Sequence, residues 1–160
     1  MTQCKPLPPV ELLRELFDYD PATGVLTNRV RRSTRLPGTR AGTRRPDGYW
    51  LVGVNKKMYL LHRVAWAVHF GAEPEGFLDH RDRNPSNNSL NNLRVSDYSK
   101  NAANVLSKRQ FPGVTWDKGK WTAKFRTRYL GRFDTEKEGS TAYMAAHLAY
   151  FGEHSIYAET

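Results

Sequence analysis

"LDHRDRNPSNNSLNNLR", Leu78 to Arg94, sets an acid and an imidazole side by side at Asp79-His80 and follows them with five asparagines. Asn side chains hydrogen-bond their own backbone and disfavour both helix and strand, so "DRNPSNNS" reads as an irregular loop. On either side the chain regains order. Asp79-His80 ends a short extended stretch, "LNNLRV" can pair as a short strand, and Ser96 is a plausible N-cap for a helix from Asp97 to about Val105 that carries Asn101 and Asn104. Polar candidates therefore sit on a strand end, a loop and a helix. Short strands and helices mixed in this way predict an α+β fold.

Upstream, Val10 to Phe17 reads as a short amphipathic helix after a Pro-rich start, and "DPATG" at Asp20 to Gly24 as a turn into "VLTNRV". "YWLVGV" and "MYLLH" around "NKK" read as a tight hairpin, with Asn55 suited to the turn. "HRVAWAVHFG" is a helix closed at Gly71, and the i, i+4, i+7 spacing puts His62, Trp66 and His69 on one face.

The 160 residues carry a net charge of +9, and the stretch from Arg29 to Arg63 alone has ten basic residues against the single acid Asp47. That local excess equals the charge of the whole chain, and it favours a polyanionic partner over an acidic small molecule. A run of this kind is either a solvated loop or a grip on phosphate. Its arginine bias suits phosphate, because the guanidinium fork matches phosphate oxygens. Arg31, Arg32, Arg35, Arg40, Arg44 and Arg45 are the candidate contacts in the loop from 29 to 48.

Cys4 is the lone cysteine, so neither an internal disulfide nor a thiolate zinc site is available, and a reducing compartment is expected. No apolar run approaches the roughly 20 residues of a membrane span, and the N-terminus lacks the pattern of a signal peptide. The cytoplasm is the expected location.

In the C-terminal third, Trp121, Ala123 and Phe125 alternate with Thr122, Lys124 and Arg126, the period-two pattern of a half-buried strand. "TWDKGKW" supplies a hairpin turn at Lys118-Gly119, "YLGRF" a third strand, and Glu136 to Phe151 a helix. Ala142, Ala145, Ala146 and Ala149 form a small-residue stripe on that helix, expected to face the sheet.

Two resemblances arise from these motifs. "LHRVAWAVHFG", "LDHRDRNPSNNSLNNLR" and "SKNAAN" resemble the HNH endonucleases, in the subgroup of phage-encoded and intron-associated homing endonucleases, over about Leu61 to Val105. The upstream "YDPATGVL" and "DGYWLVGV" resemble the segment that precedes the core in such phage proteins. "GVTWDKGKW", "YLGRFDT", "AYMAA" and "YFGE" resemble the Apetala/ethylene-response-factor DNA-binding domain over about Pro112 to Ala158. The paired Cys-x-x-Cys zinc ligands of many HNH relatives are absent, so no structural zinc is expected, and Gly139-Ser140 stand where the second family usually has alanines.

The first resemblance implies a ββα-metal core over 61–105, preceded by a small β-rich segment, in a nuclease domain spanning 1–106. It implies His80 as the general base and Asp79 as a ligand of one divalent ion, Mg2+ or Mn2+. It further implies Asn101, 21 residues beyond His80, as the second ligand, and Asn92, 12 residues beyond, as the group that orients the imidazole. His62 aligns with a recurrent histidine and is a possible phosphate contact. Asn84, Asn87, Asn88 and Asn91 are expected to be turn formers.

The second resemblance implies a DNA-binding domain over 107–160, a three-stranded antiparallel sheet packed on one helix, whose sheet enters the major groove. Arg109, Trp116, Lys118, Lys124, Arg126, Arg128 and Arg132 are its candidate contacts, although Trp116 and Trp121 can equally serve the core. The combined expectation is a DNA endonuclease that binds double-stranded DNA as a monomer or homodimer, without a membrane or a small-molecule cofactor. If it is phage-encoded, it acts in the host cytoplasm. The rival is a non-cleaving DNA-binding regulator; an RNA-binding protein fits the charge but not the motifs.

Overall fold

Helix α1 (Val10–Leu16) begins directly after Pro9, and its Leu13 is fully buried, as the apolar spacing of the segment requires. The computed structural model describes residues 5–105 and 107–158, apart from the side chains of Tyr98 and Asn101; Cys4 lies outside the described residues. The chain divides into two compact units, Met1–Asp97 and Tyr98–Thr160.

In the first unit α1 leads into an antiparallel hairpin, β1 (Phe17–Asp20) with β2 (Val25–Asn28), around the DPATG turn. Then come β3 (Thr43–Arg44), β4 (Trp50–Val54) and β5 (Lys57–Leu60), which form a sheet in that order. Asn55 and Lys56 both take positive φ, 48° and 60°, the conformation a two-residue I′ hairpin demands. Helix α2 (Leu61–Phe70) follows without a linker and stops at Gly71, whose φ of 78° provides the left-handed cap. Leu13, Phe17, Leu26, Val52, Val54, Leu61 and Val64 make the core where α1, α2 and the two small sheets meet. Of the helical face expected from spacing, His62 is buried, Trp66 half-buried and His69 exposed, so that face runs from the core to the surface.

Last in this unit, β6 (Phe77–His80) pairs antiparallel with β7 (Leu93–Ser96), after a 3₁₀ turn over Leu90–Asn92. Ser96 is not a helix cap. It is the closing residue of β7, opposite Phe77, because the ladder claims its backbone one residue further than the helix signal suggested.

The second unit starts with α3 (Tyr98–Ala103), whose last carbonyl, on Ala103, accepts from Ile156 N–H at 3.0 Å. Strands β8 (Val114–Asp117), β9 (Lys120–Phe125) and β10 (Arg128–Phe133) form an antiparallel sheet with β9 in the centre. Helix α4 (Glu136–Phe151) is fastened at its start by a capping box between Thr135 and Glu138, with bonds of 3.2 and 3.1 Å. A 3₁₀ turn at Gly152–His154 ends it.

The alanine stripe is a correction: Ala145 and Ala149 are exposed, and the buried residues of α4 are Gly139, Ser140 and His147. The reason is steric. A Cβ on Gly139 would lie 2.8 Å from Val114 Cγ1, so the backbone approaches closest there, while Tyr143, His147 and Phe151 gather around the Phe125 ring at 5.7, 5.5 and 6.0 Å.

No helix among the described residues is long and apolar enough to cross a membrane.

Candidate active site

Strand pleating sends Asp79 and His80 to opposite sides of β6, and each meets a different partner. Directly across the ladder from Asp79 is Arg94, whose Nε and Nη2 both donate to Asp79 Oδ2, at 3.0 and 2.8 Å. The pair is buried, with 8% and 5% of each residue exposed.

His80 turns into a cluster of rings. Its imidazole meets His62, from the first turn of α2, edge-on at 5.1 Å, and Tyr49, just before β4, at 6.0 Å; Tyr49 also lies 5.9 Å from His62. On the other side Nε2 lies 3.1 Å from Asn88 Oδ1. The Asn88 amide is oriented by its own Nδ2, which donates to Ser86 O at 3.3 Å. An oxygen facing Nε2 favours the tautomer that protonates Nε2 and leaves Nδ1 as the basic nitrogen.

Burial is the main influence on both histidines. It pushes His80 below the ordinary imidazole value, although the Asn88 bond and the charges of Asp82 and Asp79 act the other way. His62 is pushed down to about 3 by burial, by His80 and by Arg63. Both rings are therefore uncharged at neutral pH. Tyr49 is pushed up, first by burial and then by the Asp79 and Asp47 charges, so its hydroxyl keeps its proton.

For His62 this has a consequence for stability. A histidine whose pKa falls on folding stabilises the protein above its unfolded value of about 6.5, and the contribution is lost as pH drops toward 3. At about 1.4 kcal/mol per pH unit the loss is on the order of 4 kcal/mol by pH 3.5. Acid titration of thermal stability in wild type and His62→Gln is expected to show a shallower slope for the variant between pH 6.5 and 3.5; identical slopes would refute the assignment.

The asparagine loop is built around Asp82. Its Oδ1 accepts from Asn84 N and Asn92 Nδ2, both at 2.8 Å, and its Oδ2 accepts from Asn87 Nδ2 at 2.7 Å. Asn84 Oδ1 accepts from Ser86 N, and Asn87 Oδ1 from Ser89 N, the turn-forming use expected of them. Asn92, expected to orient His80, spends its amide on Asp82 and on Asn87 O, so it holds the loop, and the amide that faces the imidazole is that of Asn88. The spacing of asparagines alone could not separate the two, because the choice depends on how the loop folds back. Tyr49, Asp82 and Arg94 also escape a sequence reading. An Arg directly opposite an Asp is visible only once the β6–β7 register is known.

The basic loop is put to several uses. Arg32 lies over the Phe17 ring at 4.4 Å and donates to Gly53 O and Asn28 Oδ1, so its fork braces the protein instead of facing solvent. Arg40 covers Trp50 at 4.0 Å, Arg44 donates to Ser86 Oγ, and Arg45 pairs with Asp47 at 2.9 Å. Arg31, Arg35, Arg40, Arg44 and Arg45 are exposed. His62 is 4% exposed and packs edge-on against His80 at 5.1 Å.

In the second unit Arg109, Lys118, Lys124, Arg126, Arg128 and Arg132 are exposed. Pairing of Thr122 with Thr115 and Arg132, and of Lys124 with Tyr129, puts these residues on the sheet face away from Val114 and Ala123. Trp116 shares the Val114 face and meets Trp121 edge-on at 5.2 Å, yet remains 55% exposed. Arg132 donates to Asp117 O and Lys118 O, bracing the first turn, and Arg126 lies over Tyr150.

No group of three or more His, Cys, Asp and Glu among the described residues could hold a metal ion. Asp79 offers a hard carboxylate that suits a divalent ion keeping most of its waters, with Arg94 already on Oδ2. Asn101 lies on α3, and its side chain is outside the described residues.

No curated protein matches the chain. A solved structure described as DNA binding and cleavage by the HNH homing endonuclease I-HmuI is similar to it, at 26% identity over 55% of this chain and with a TM-score of 0.41. The similarity spans 50% of that protein. The model of the family described as HNH endonuclease matches residues 59–103. That stretch includes His62, Asp79, His80, Asn88 and Arg94, and of the buried cluster only Tyr49 falls outside it.

Proposed function

We propose that the chain is a divalent-metal-dependent DNA endonuclease of HNH homing type, hydrolysing phosphodiester bonds at sites chosen by its C-terminal unit. One observation carries the reading: His80 is a buried, uncharged imidazole whose Nε2 is held by Asn88, and the Asp79 charge acts on it from the neighbouring position of β6. Nδ1 then accepts a proton from the water that attacks phosphorus, and the charges of Asp82 and Asp79 favour the imidazolium that results. Asp79, fixed by Arg94, and Asn101, by the family resemblance, are the residues that would hold the ion. A bound Mg2+ or Mn2+ supplies Lewis-acid stabilisation of the phosphate and the departing oxygen. Asn92 serves the same end indirectly, by closing the loop that presents Asn88.

Selection of the site is assigned to the sheet over 107–160, with Thr115, Thr122, Lys124 and Arg132 facing the groove and Arg109, Lys118, Arg126 and Arg128 at its margins. The exposed arginines of the 29–48 loop neutralise backbone phosphate. Six to ten such contacts imply that affinity falls about 10³- to 10⁵-fold between 50 and 200 mM salt. A binding titration over that range is the check, and a nearly flat response would remove the phosphate grip.

Incubating supercoiled plasmid with Mg2+ or Mn2+, with and without chelator, tests cleavage. Wild type is expected to nick or linearise it only with metal, and His80→Ala to leave it intact. If neither protein cuts and both bind, the chain is a non-cleaving regulator.

A further inference from the structure

The amide facing His80 sits in a loop with little regular structure, so something must hold it. Three contacts come from the β1–β2 hairpin, more than sixty residues earlier in the chain. Tyr19 Oη donates to Asn88 O at 2.8 Å, and Leu90 N donates to Pro21 O at 2.9 Å. Gly24, at φ +72°, lies so close that a Cβ there would be 2.3 Å from both Asn88 C and Ser89 N. A second set comes from the turn before β4: Ser86 Oγ donates to Gly48 O at 2.8 Å and accepts from Arg44 Nε at 2.9 Å. Ser86 O in turn receives Asn88 Nδ2, the bond that decides which end of the amide His80 meets. Tyr19 is half-buried with its pKa pushed up to about 12 by burial and by Asp20, so its hydroxyl remains a donor across the working pH range.

We propose that Tyr19 and Gly24 are positioning residues for the nuclease centre: the β1–β2 hairpin braces the Asn88 backbone and so sets the tautomer and direction of the His80 imidazole. The inference rests on the nuclease reading for its kinetic consequence and on the geometry alone for its structural one. Its logic is that of a supporting shell, in which a general base displaced by a fraction of an ångström loses rate without losing substrate affinity. The turn "DPATG" is then conformationally demanding for a reason outside itself, since only glycine lets the loop approach so closely at that φ.

The experiment combines single-turnover cleavage with imidazole ¹⁵N NMR on the full chain. Tyr19→Phe removes one hydroxyl and leaves the ring. It is expected to lower the cleavage rate between about 10-fold and about 100-fold, with the DNA concentration at half-maximal rate unchanged. Asn88→Ala is expected to lose at least as much, and the double variant no more than Asn88→Ala alone, because the two act through one contact. Multiplying losses, or a Tyr19→Phe rate equal to wild type, would overturn the proposal.

Gly24→Ala is expected to behave like Tyr19→Phe if it folds, and the tyrosine variant carries the test if it does not. The NMR arm reads DNA-free protein. Wild-type His80 is expected as the Nε2–H tautomer, and Tyr19→Phe as a mixture; a variant still wholly Nε2–H would refute the brace even if no DNA is cut. Absence of cleavage by wild type, with the tautomer shift present, would sink the nuclease reading and leave the brace standing.

Discussion

His80→Ala is expected to slow metal-dependent cleavage by about 10²- to 10⁴-fold, the range a positioned general base supplies. DNA affinity should remain close to wild type, since His80 is only 4% exposed and contributes no charge at neutral pH. The pH profile gives a second handle. The base works in its neutral form, and burial lowers its pKa below the ordinary imidazole value, so the acid limb of the rate profile is expected below about pH 6.5. The wild-type acid limb should therefore be centred below the ordinary imidazole value, with the fall on its acid side. A limb centred above pH 7, or wild-type rates in His80→Ala, would rule the imidazole out as the base.

The largest expected effect on stability is at Arg94. Removing it by Arg94→Ala leaves the Asp79 carboxylate buried without its directly opposed cation, at a cost of about 3–5 kcal/mol. For a unit of this size that corresponds to a fall in Tm of roughly 15–30 °C. The double replacement Asp79→Leu with Arg94→Met should recover much of the loss, because an apolar pair of similar volume avoids the desolvation penalty altogether. It should be stable and inactive, which separates the carboxylate's chemical use from its structural one. Thermal unfolding of the three proteins decides it: a single variant as stable as wild type would mean the ion pair contributes nothing to folding.

Local chemistry made most of the framework readable in advance. Asn55 at a tight turn, Gly71 after an apolar helix, Lys118-Gly119 between alternating strands and the Glu136–Phe151 segment each announce themselves through backbone preference or periodicity. The Thr135–Glu138 capping box fixes the start of α4 in the structure.

What could not be read depends on distant parts of the chain. Asn88 and Asn92 are the same residue type four positions apart, and only the path of the loop past Tyr19 and Gly24 decides which one meets an imidazole. Arg32 sits in a run of arginines that all look alike as charges, yet Phe17 and Gly53 claim this one for packing. On α4 two alanines of the expected contact stripe, Ala145 and Ala149, stay exposed, because alanine is tolerated on any side of a helix, whereas glycine beside Val114 is forced by distance.

Helix α3 is short and would be marginal in isolation. Its Ala103 carbonyl is tied to Ile156 near the C-terminus, and both residues fall in the unit that begins at Tyr98. Replacing the segment from residue 107 onward would thus strand this helix without its anchor, while a crossover at 97 would carry helix and anchor away together.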